Sequence, residues 1–192
     1  MQFPNWFDSY ARGYFAAHLT ALAGAPGLRF LQVGAFTGDA SEWLLDRVLT
    51  GEGSVLVDVD TWHGSDEPEH DRLDFTEVER AYDERMAEAA VAGRLVKFKG
   101  TSADYFATQR EPFDFIYIDG DHTAFGVLSD AVSAVRVLKP GGLLAFDDYL
   151  WKSGKTRFHE PAVAIDAIAD VCGDRLRRTD SGLQVWFRKV GQ

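Results

Sequence analysis

Short apolar runs alternate with amphipathic segments along the whole chain. The apolar runs predict five strands, at 28–33, 54–59, 95–98, 113–118 and 143–146. Apolar residues spaced by three and four predict helices at 6–22, 40–49, 76–92, 102–107, 123–138 and 161–172. The third of these helices begins with a capping-box pattern, in which Thr76 is the predicted cap and Glu79 follows three residues later. Five strand–helix units predict a parallel sheet with right-handed crossovers.

The end of the chain has a different pattern from the rest. Two short apolar segments, at 175–179 and 183–188, flank the turn residues Asp180-Ser181-Gly182 and predict a hairpin. The hairpin adds an antiparallel edge to the sheet. The predicted fold is therefore α/β: a doubly wound, Rossmann-like sheet of seven strands, mostly parallel with an antiparallel C-terminal hairpin strand. We expect one domain over 1–192, with a helical segment at 1–24 and the sheet core at 28–189.

Composition excludes several classes of protein. The 192 residues suit one domain with a sizeable core, and 46% of them are hydrophobic. The single cysteine, Cys172, rules out an internal disulfide and a cysteine-based zinc site. A net charge of −10 argues against nucleic acid as a partner. No apolar run is long enough to span a membrane, and no secretory signal pattern opens the chain, so we expect a cytoplasmic protein with no membrane partner.

Polar residues collect where the predicted strands end. They lie at 34–39, 58–62, 100–104, 119–122 and 147–151, while the strands before them are nearly all apolar. In a sheet of this kind, ligands bind beyond the carboxyl ends of the strands. These five stretches are therefore the predicted functional region.

The first stretch, Gly34 to Gly38, has the form G-x-x-x-G and is called the glycine turn below. Its glycines let the backbone approach a ligand closely. It lacks the G-x-G-x-x-G fingerprint, which argues against an NAD(P)-dependent oxidoreductase. Asp58 and Asp60 follow in the second stretch, and either carboxylate can accept both hydrogens of a ribose diol.

Several of these motifs resemble class I S-adenosylmethionine-dependent methyltransferases. The resemblance rests on residues 33–38, on 100–104 and on the Leu-Lys-Pro-Gly-Gly segment at 138–142. Residues 115–122 together with 146–149 are more specific, since they resemble the small metal-dependent O-methyltransferases that act on sugars and macrolide glycosides. They are similar, more distantly, to catechol and caffeoyl-CoA O-methyltransferases.

The resemblance implies which residues contact S-adenosylmethionine. They are Gln32, Gly34, Ala35, Gly38, Asp60, Thr61, Trp62, Ser102 and Asp119. It favours Asp60 over Asp58 at the ribose and assigns Ser102 to the adenine. Gln32 departs from the pattern, because the family commonly has Glu or Asp there. An amide can still accept a hydrogen bond from the methionine amino group, but it carries no charge.

Three carboxylates, those of Asp119, Asp147 and Asp148, follow neighbouring strands and are predicted to converge. They would repel one another unless a cation lay between them, and an all-oxygen site suits a divalent ion such as Mg²⁺. The resemblance also implies that such an ion binds hydroxyls of the substrate. His122 is the candidate general base, with Asp119 or Asp121 as alternatives.

The predicted activity is transfer of a methyl group from S-adenosylmethionine to a hydroxyl of a small molecule, such as a sugar or glycosylated natural product, with help from a divalent cation. The alternatives are an NAD(P)-dependent oxidoreductase and a cofactor-binding module without catalysis. Association into a homo-oligomer is left open. A locally basic loop at 151–158 is a candidate lid over the acceptor.

Overall fold

A computed structural model of the chain describes residues 3–65, 70–152 and 154–191. Seven strands form one mixed sheet in the order β3-β2-β1-β4-β5-β7-β6, which confirms the predicted fold class. The chain divides into two compact units, Met1–Gly100 and Thr101–Gln192. That the whole chain is one domain stays a prediction. No helix in the described part of the chain is long and apolar enough to cross a membrane.

The first unit contains three parallel strands, β1 (Arg29–Val33), β2 (Val55–Asp60) and β3 (Leu95–Lys99). β2 pairs with both of the others. The helices are α1 (Arg12–Leu19), α2 (Asp39–Arg47) and α3 (Phe75–Val91). β1 and β2 are buried almost throughout, as expected for parallel strands covered by helices.

Two predictions for the first unit need correction. The single helix expected at 6–22 is a π-helical turn at Phe7–Ala11, then α1, then a 3₁₀ turn at Thr20–Leu22. The cap of α3 is Asp74, whose carboxylate accepts the Thr76 amide at 2.9 Å, and not Thr76. Glu79 does not close a capping box, because Lys97 and Lys99 hold its carboxylate. Residues 66–69, between β2 and α3, lie outside the described residues.

The second unit contains β4 (Phe113–Ile118) and β5 (Leu138–Phe146), which are parallel. β6 (Leu176–Ser181) and β7 (Val185–Lys189) form the predicted hairpin, and β7 pairs antiparallel with β5. The predicted turn was wrong at two residues, because Asp180 and Ser181 belong to β6 and pair with β7. The helices are α4 (Ser102–Thr108), α5 (Ala124–Val137) and α6 (Pro161–Val171). Packing of α5 against α6, β4 and β5 builds the core of this unit.

β5 begins five residues earlier than predicted. It includes the Lys-Pro-Gly-Gly segment at 139–142, which the sequence indicated as a helix terminator. The pairing with β4 is irregular there, passing from Phe113–Leu138 to Phe115–Leu143. Pro140 has no amide hydrogen to donate to a strand ladder, and a proline within a sheet is accommodated at such an irregularity.

Candidate functional site

The glycine turn joins β1 to α2 through backbone conformations that few residues adopt. Gly34 and Gly38 have φ angles of 88° and 84°, and Phe36 between them has 49°. A Cβ atom added at Gly38 would lie 3.1 Å from the Tyr82 ring. Gly38 is therefore required both by its backbone and by the close approach of α3.

Asp60, at the end of β2, holds the glycine turn by hydrogen bonds to its backbone. Its Oδ2 accepts the amide hydrogens of Ala35 at 2.8 Å and Phe36 at 3.0 Å. Its Oδ1 accepts the amide of Trp62 at 2.7 Å. The predicted ribose ligand is thus also a structural anchor. Oδ2 already accepts two hydrogen bonds, whereas Oδ1 accepts one and retains lone-pair capacity for a further donor.

Trp62 makes a second connection to the same turn. Its indole Nε1 donates to the carbonyl oxygen of Phe36 at 2.9 Å, and its ring packs on Tyr82 with a centroid distance of 4.8 Å. Trp62 itself has a φ of 49° and is buried. Thr61, before it, accepts the amide of His63 through Oγ1 at 3.2 Å. Trp62 therefore stabilises the glycine turn through its hydrogen bond to the Phe36 carbonyl oxygen.

Gln32 contributes a buried acceptor at the start of the turn. Its Nε2 donates to the carbonyl oxygen of Gly34 at 2.8 Å. Its Oε1 is buried and has no hydrogen-bond partner among the described residues. A buried acceptor without a donor costs free energy, about 1–3 kcal/mol. A donor group brought by a ligand, such as an ammonium, would satisfy it.

Asp58, the alternative ribose ligand, is fully buried in β2. Its Oδ2 accepts the hydroxyl of Ser41 at 2.6 Å and that of Tyr82 at 2.8 Å. Burial raises the pKa of Asp58 from 3.8 to about 7, although both hydroxyls oppose that rise. The structure therefore places Asp58 in the packing between β2, α2 and α3 and leaves Asp60 at the partly exposed end of the strand.

In the second unit, Asp119, His122 and Asp148 come together and are called the acidic cluster below. Each offers one ligand atom, and these atoms lie within 4.8 Å of one another. Nε2 of His122 is 3.0 Å from Asp148 Oδ2 and 3.7 Å from Asp119 Oδ1. The pKa of Asp119 is raised well above its ordinary value, first by burial and then by the charge of Asp147, while the hydrogen bond from His122 lowers it.

Asp147, the third predicted metal ligand, is adjacent to the acidic cluster but oriented differently. Its Oδ2 accepts the hydroxyl of Tyr117 and lies 3.2 Å from Nε2 of Gln184. Its Oδ1 accepts the backbone amide of Asp148 at 2.8 Å. The sequence predicted the carboxylates but not these two partners, because nothing in the strand pattern marks Tyr117 or Gln184 as anything other than packing residues.

The remaining predicted residues lie near the N-termini of α4 and α5. Ser102 begins α4 and hydrogen-bonds Asp130, whose pKa is raised to about 6, mainly by burial. Asp121, an alternative base, accepts both the amide and the hydroxyl of Thr123 at 2.8 and 2.9 Å. Thr123 in turn caps α5. Asp121 is therefore engaged in the turn that starts α5, whereas His122 belongs to the acidic cluster.

The basic loop contacts the acidic cluster through its first residue. The Trp151 ring meets that of His122 edge to face, with centroids 5.3 Å apart. Lys152 is paired with Glu160 at 2.6 Å. Ser153 lies outside the described residues. Movement of this loop as a lid stays a prediction.

Comparison with known proteins identifies the family. A family model described as a methyltransferase domain matches residues 31–149. No curated protein sequence matches the chain.

Three solved structures with similar folds have sequences that are distant from this chain. A candidate rRNA methylase from Clostridium thermocellum has a TM-score of 0.70 at 13% identity, covering 100% of this chain and 99% of its own. The O-methyltransferase from Bacillus cereus, solved with SAH, has a TM-score of 0.58 at 17% identity, covering 98% of this chain and 93% of its own. MycE of the mycinamycin pathway, solved with Mg, SAH and mycinamycin VI, has a TM-score of 0.65 at 15% identity, covering 99% of this chain and 51% of its own. At such identities the likeness shows the fold alone.

The family match extends from β1 to the residue after Asp148 and so includes both the glycine turn and the acidic cluster. The oxidoreductase alternative has no such support. The chain belongs to the methyltransferase domain family, which confirms the resemblance to S-adenosylmethionine-dependent methyltransferases that its motifs indicated.

Proposed function

We propose that the protein methylates a hydroxyl group of a small molecule, with assistance from a divalent cation. The observation that supports this most strongly is the convergence of Asp119, His122 and Asp148 within 4.8 Å. Methyl transfer from a sulfonium needs no such cluster for the donor itself. The cluster therefore belongs to the acceptor, whose hydroxyl is a poor nucleophile until its proton is removed.

In the first unit, Gln32 and Asp60 are the residues proposed to bind S-adenosylmethionine. Gln32 Oε1, the buried acceptor without a partner among the described residues, would take the methionine ammonium. Asp60 would accept a ribose hydroxyl at Oδ1, the oxygen that retains lone-pair capacity. Ser102 is proposed for the adenine and Asp119 for the amino-acid side of the cofactor. The sulfonium supplies an activated methyl group.

The donor set in the second unit fits a hard divalent cation. Carboxylate oxygens of Asp119, Asp147 and Asp148 are the ligands that Mg²⁺ prefers, and the chain has no cysteine there to favour zinc. Burial raises the pKa of Asp119, and the charges of Asp147 and Asp148 raise it further; a cation would offset that repulsion. A bound cation of this kind lowers the pKa of a coordinated hydroxyl.

His122 is the proposed general base. Asp148 fixes its ring through the 3.0 Å contact with Nε2, and Trp151 packs against the ring edge. The acceptor oxygen forms the new bond to the methyl carbon, and the carbon–sulfur bond breaks with its electron pair left on sulfur. Because Nε2 of His122 donates to Asp148, the hydroxyl proton passes to the other ring nitrogen, which carries no hydrogen. Asp148 would stabilise the imidazolium that forms.

A sugar or glycosylated natural product is the proposed acceptor class. MycE, whose fold is similar, was solved with Mg and mycinamycin VI. The candidate rRNA methylase from Clostridium thermocellum has the same fold, but a net charge of −10 disfavours a polyphosphate substrate for this chain. We propose a small-molecule acceptor for that reason.

The test is methyl transfer to a panel of glycosides and catechols, followed by mass spectrometry with Mg²⁺ or with EDTA. We expect turnover with Mg²⁺, its loss in EDTA, and its loss in Asp119→Asn. The matched control is Asp114→Asn on β4, which removes a carboxylate that is paired with Lys139 of β5 at 2.7 Å. Full turnover in EDTA would contradict the role of the cation and leave His122 as an unaided base.

A further inference from the structure

A buried network of hydrogen bonds ends on Asp147, the residue before Asp148 of the acidic cluster. Its other members are Tyr117 on β4, Gln184 just before β7, and Trp186 on β7. Their exposed fractions are 1%, 0% and 0%. Because three polar side chains are closed to solvent here, their hydrogen bonds must be made within the protein.

The network has a defined direction. Trp186 Nε1, which can only donate, is 3.0 Å from Gln184 Oε1. This contact fixes the amide so that Gln184 Nε2 faces Asp147 Oδ2 and Tyr117 Oη, each at 3.2 Å. The Tyr117 hydroxyl also donates to Asp147 Oδ2. Trp186 is itself held by stacking on Phe115, with ring centroids 5.3 Å apart and planes 7° apart.

The other oxygen of Asp147 extends the network to the acidic cluster. Asp147 Oδ1 accepts the backbone amide of Asp148, whose φ of 57° lies in the left-handed region. A non-glycine residue in this region carries strain that surrounding contacts must offset. The Asp148 side chain then meets His122 at 3.0 Å. The orientation of Asp147 therefore sets the backbone that carries Asp148.

Burying these polar groups is costly compared with apolar packing. Phe113 and Phe115, at the other inward positions of β4, show that phenylalanine packs on this strand. A phenol and an amide in the same interior must each be compensated by hydrogen bonds, and here those bonds converge on one carboxylate oxygen. Their arrangement suits the orientation of Asp147 better than it suits packing.

We propose that Tyr117 and Gln184 are positioning residues, which orient Asp147 and through it Asp148 for the divalent cation. The proposal rests on the proposed function, because it assigns a purpose to that same cation site. Hydrogen-bonded partners behind metal ligands commonly change metal affinity by about 10- to 100-fold. Tyr117 and Gln184 would act in this way without touching the cation, the cofactor or the acceptor.

The test is calorimetric titration of the full-length protein with Mn²⁺ in place of Mg²⁺. We expect Tyr117→Phe and Gln184→Met each to weaken Mn²⁺ binding by about 10-fold or more. Their losses should not add in the double variant, because both residues act on Asp147 Oδ2. Binding of S-adenosylhomocysteine should be unchanged. Two variants are used so that one remains informative if the other does not fold.

The matched control is Tyr105→Phe, which removes the hydroxyl of another buried tyrosine in the same unit, one that donates to Gln109 Oε1 at 3.3 Å. It should leave Mn²⁺ affinity unchanged even if it lowers the melting temperature. Wild-type affinity in both Tyr117→Phe and Gln184→Met would overturn the positioning role while leaving the cation site intact. Absence of Mn²⁺ binding in the wild type would instead overturn the proposed cation site, and the positioning role with it.

Discussion

The free energy of unfolding is expected to depend on pH through Asp58, whose pKa is raised by burial. Its carboxyl is fully buried, and its pKa is about 7 instead of the ordinary 3.8. Because the folded pKa is the higher one, the folded state holds the proton more tightly. The stabilisation from that proton is complete below about pH 4 and is lost as the pH rises through 7. At about 1.4 kcal/mol per pH unit, the full loss is about 4 kcal/mol.

The Asp58→Asn variant removes this titration. The amide keeps the shape of the side chain, and its oxygen can still accept the hydroxyls of Ser41 and Tyr82. The free energy of unfolding, measured by urea denaturation, should therefore rise relative to the wild type by about 2–3 kcal/mol between pH 5 and pH 8. Asp170→Asn, at an exposed position, is the control. Parallel pH profiles for wild type and Asp58→Asn would refute the argument.

Two further variants test the supports of the site. Trp62→Phe keeps the packing on Tyr82 but removes the donor to the Phe36 carbonyl. Cofactor affinity measured by calorimetry should therefore fall about fivefold, which is the effect of one neutral hydrogen bond. Unchanged affinity would show that the glycine turn does not depend on the indole. Thr123→Ala removes the cap that accepts the Gly126 amide, so urea denaturation should show a loss of about 1 kcal/mol, whereas Thr123→Ser should retain most of it. Equal stability of the alanine and serine variants would contradict the capping role.

The sequence predicted the strands well because burial in a parallel sheet requires continuous apolar runs. The run at 113–118 coincides with β4, and the other four strands of the parallel part differ at one end or both. Pro140 made the start of β5 unpredictable, since a proline within a strand depends on an irregular pairing that only the partner strand reveals. The cap of α3 was misplaced because Asp74 and Thr76 are both good capping residues, and backbone geometry decides between them.

Site residues could be predicted where their type and their place after a strand indicate a function. They could not be predicted where their role depends on how the fold orients their side chains. Asp60 and Asp119 follow strands and are polar, so sequence position alone indicated them. The bonds from Asp60 to the amides of Ala35 and Phe36 connect residues about 25 positions apart and leave no local pattern. Gln184 was equally hidden, because a single polar residue beside a hairpin turn is expected to be solvated, whereas the structure buries it against Asp147.

The central claim is that the glycine turn and Asp60 bind S-adenosylmethionine. Calorimetric titration of the wild type and Asp60→Ala in EDTA, with S-adenosylmethionine and separately with NAD⁺, tests it most directly. We predict saturable binding of S-adenosylmethionine to the wild type, no binding of NAD⁺, and a loss of about 1.5–3 kcal/mol in Asp60→Ala, the scale of a charge-assisted hydrogen bond. Asp170→Ala, at an exposed position, should bind as the wild type does. Failure of the wild type to bind S-adenosylmethionine, or equal affinity in Asp60→Ala, would contradict the claim.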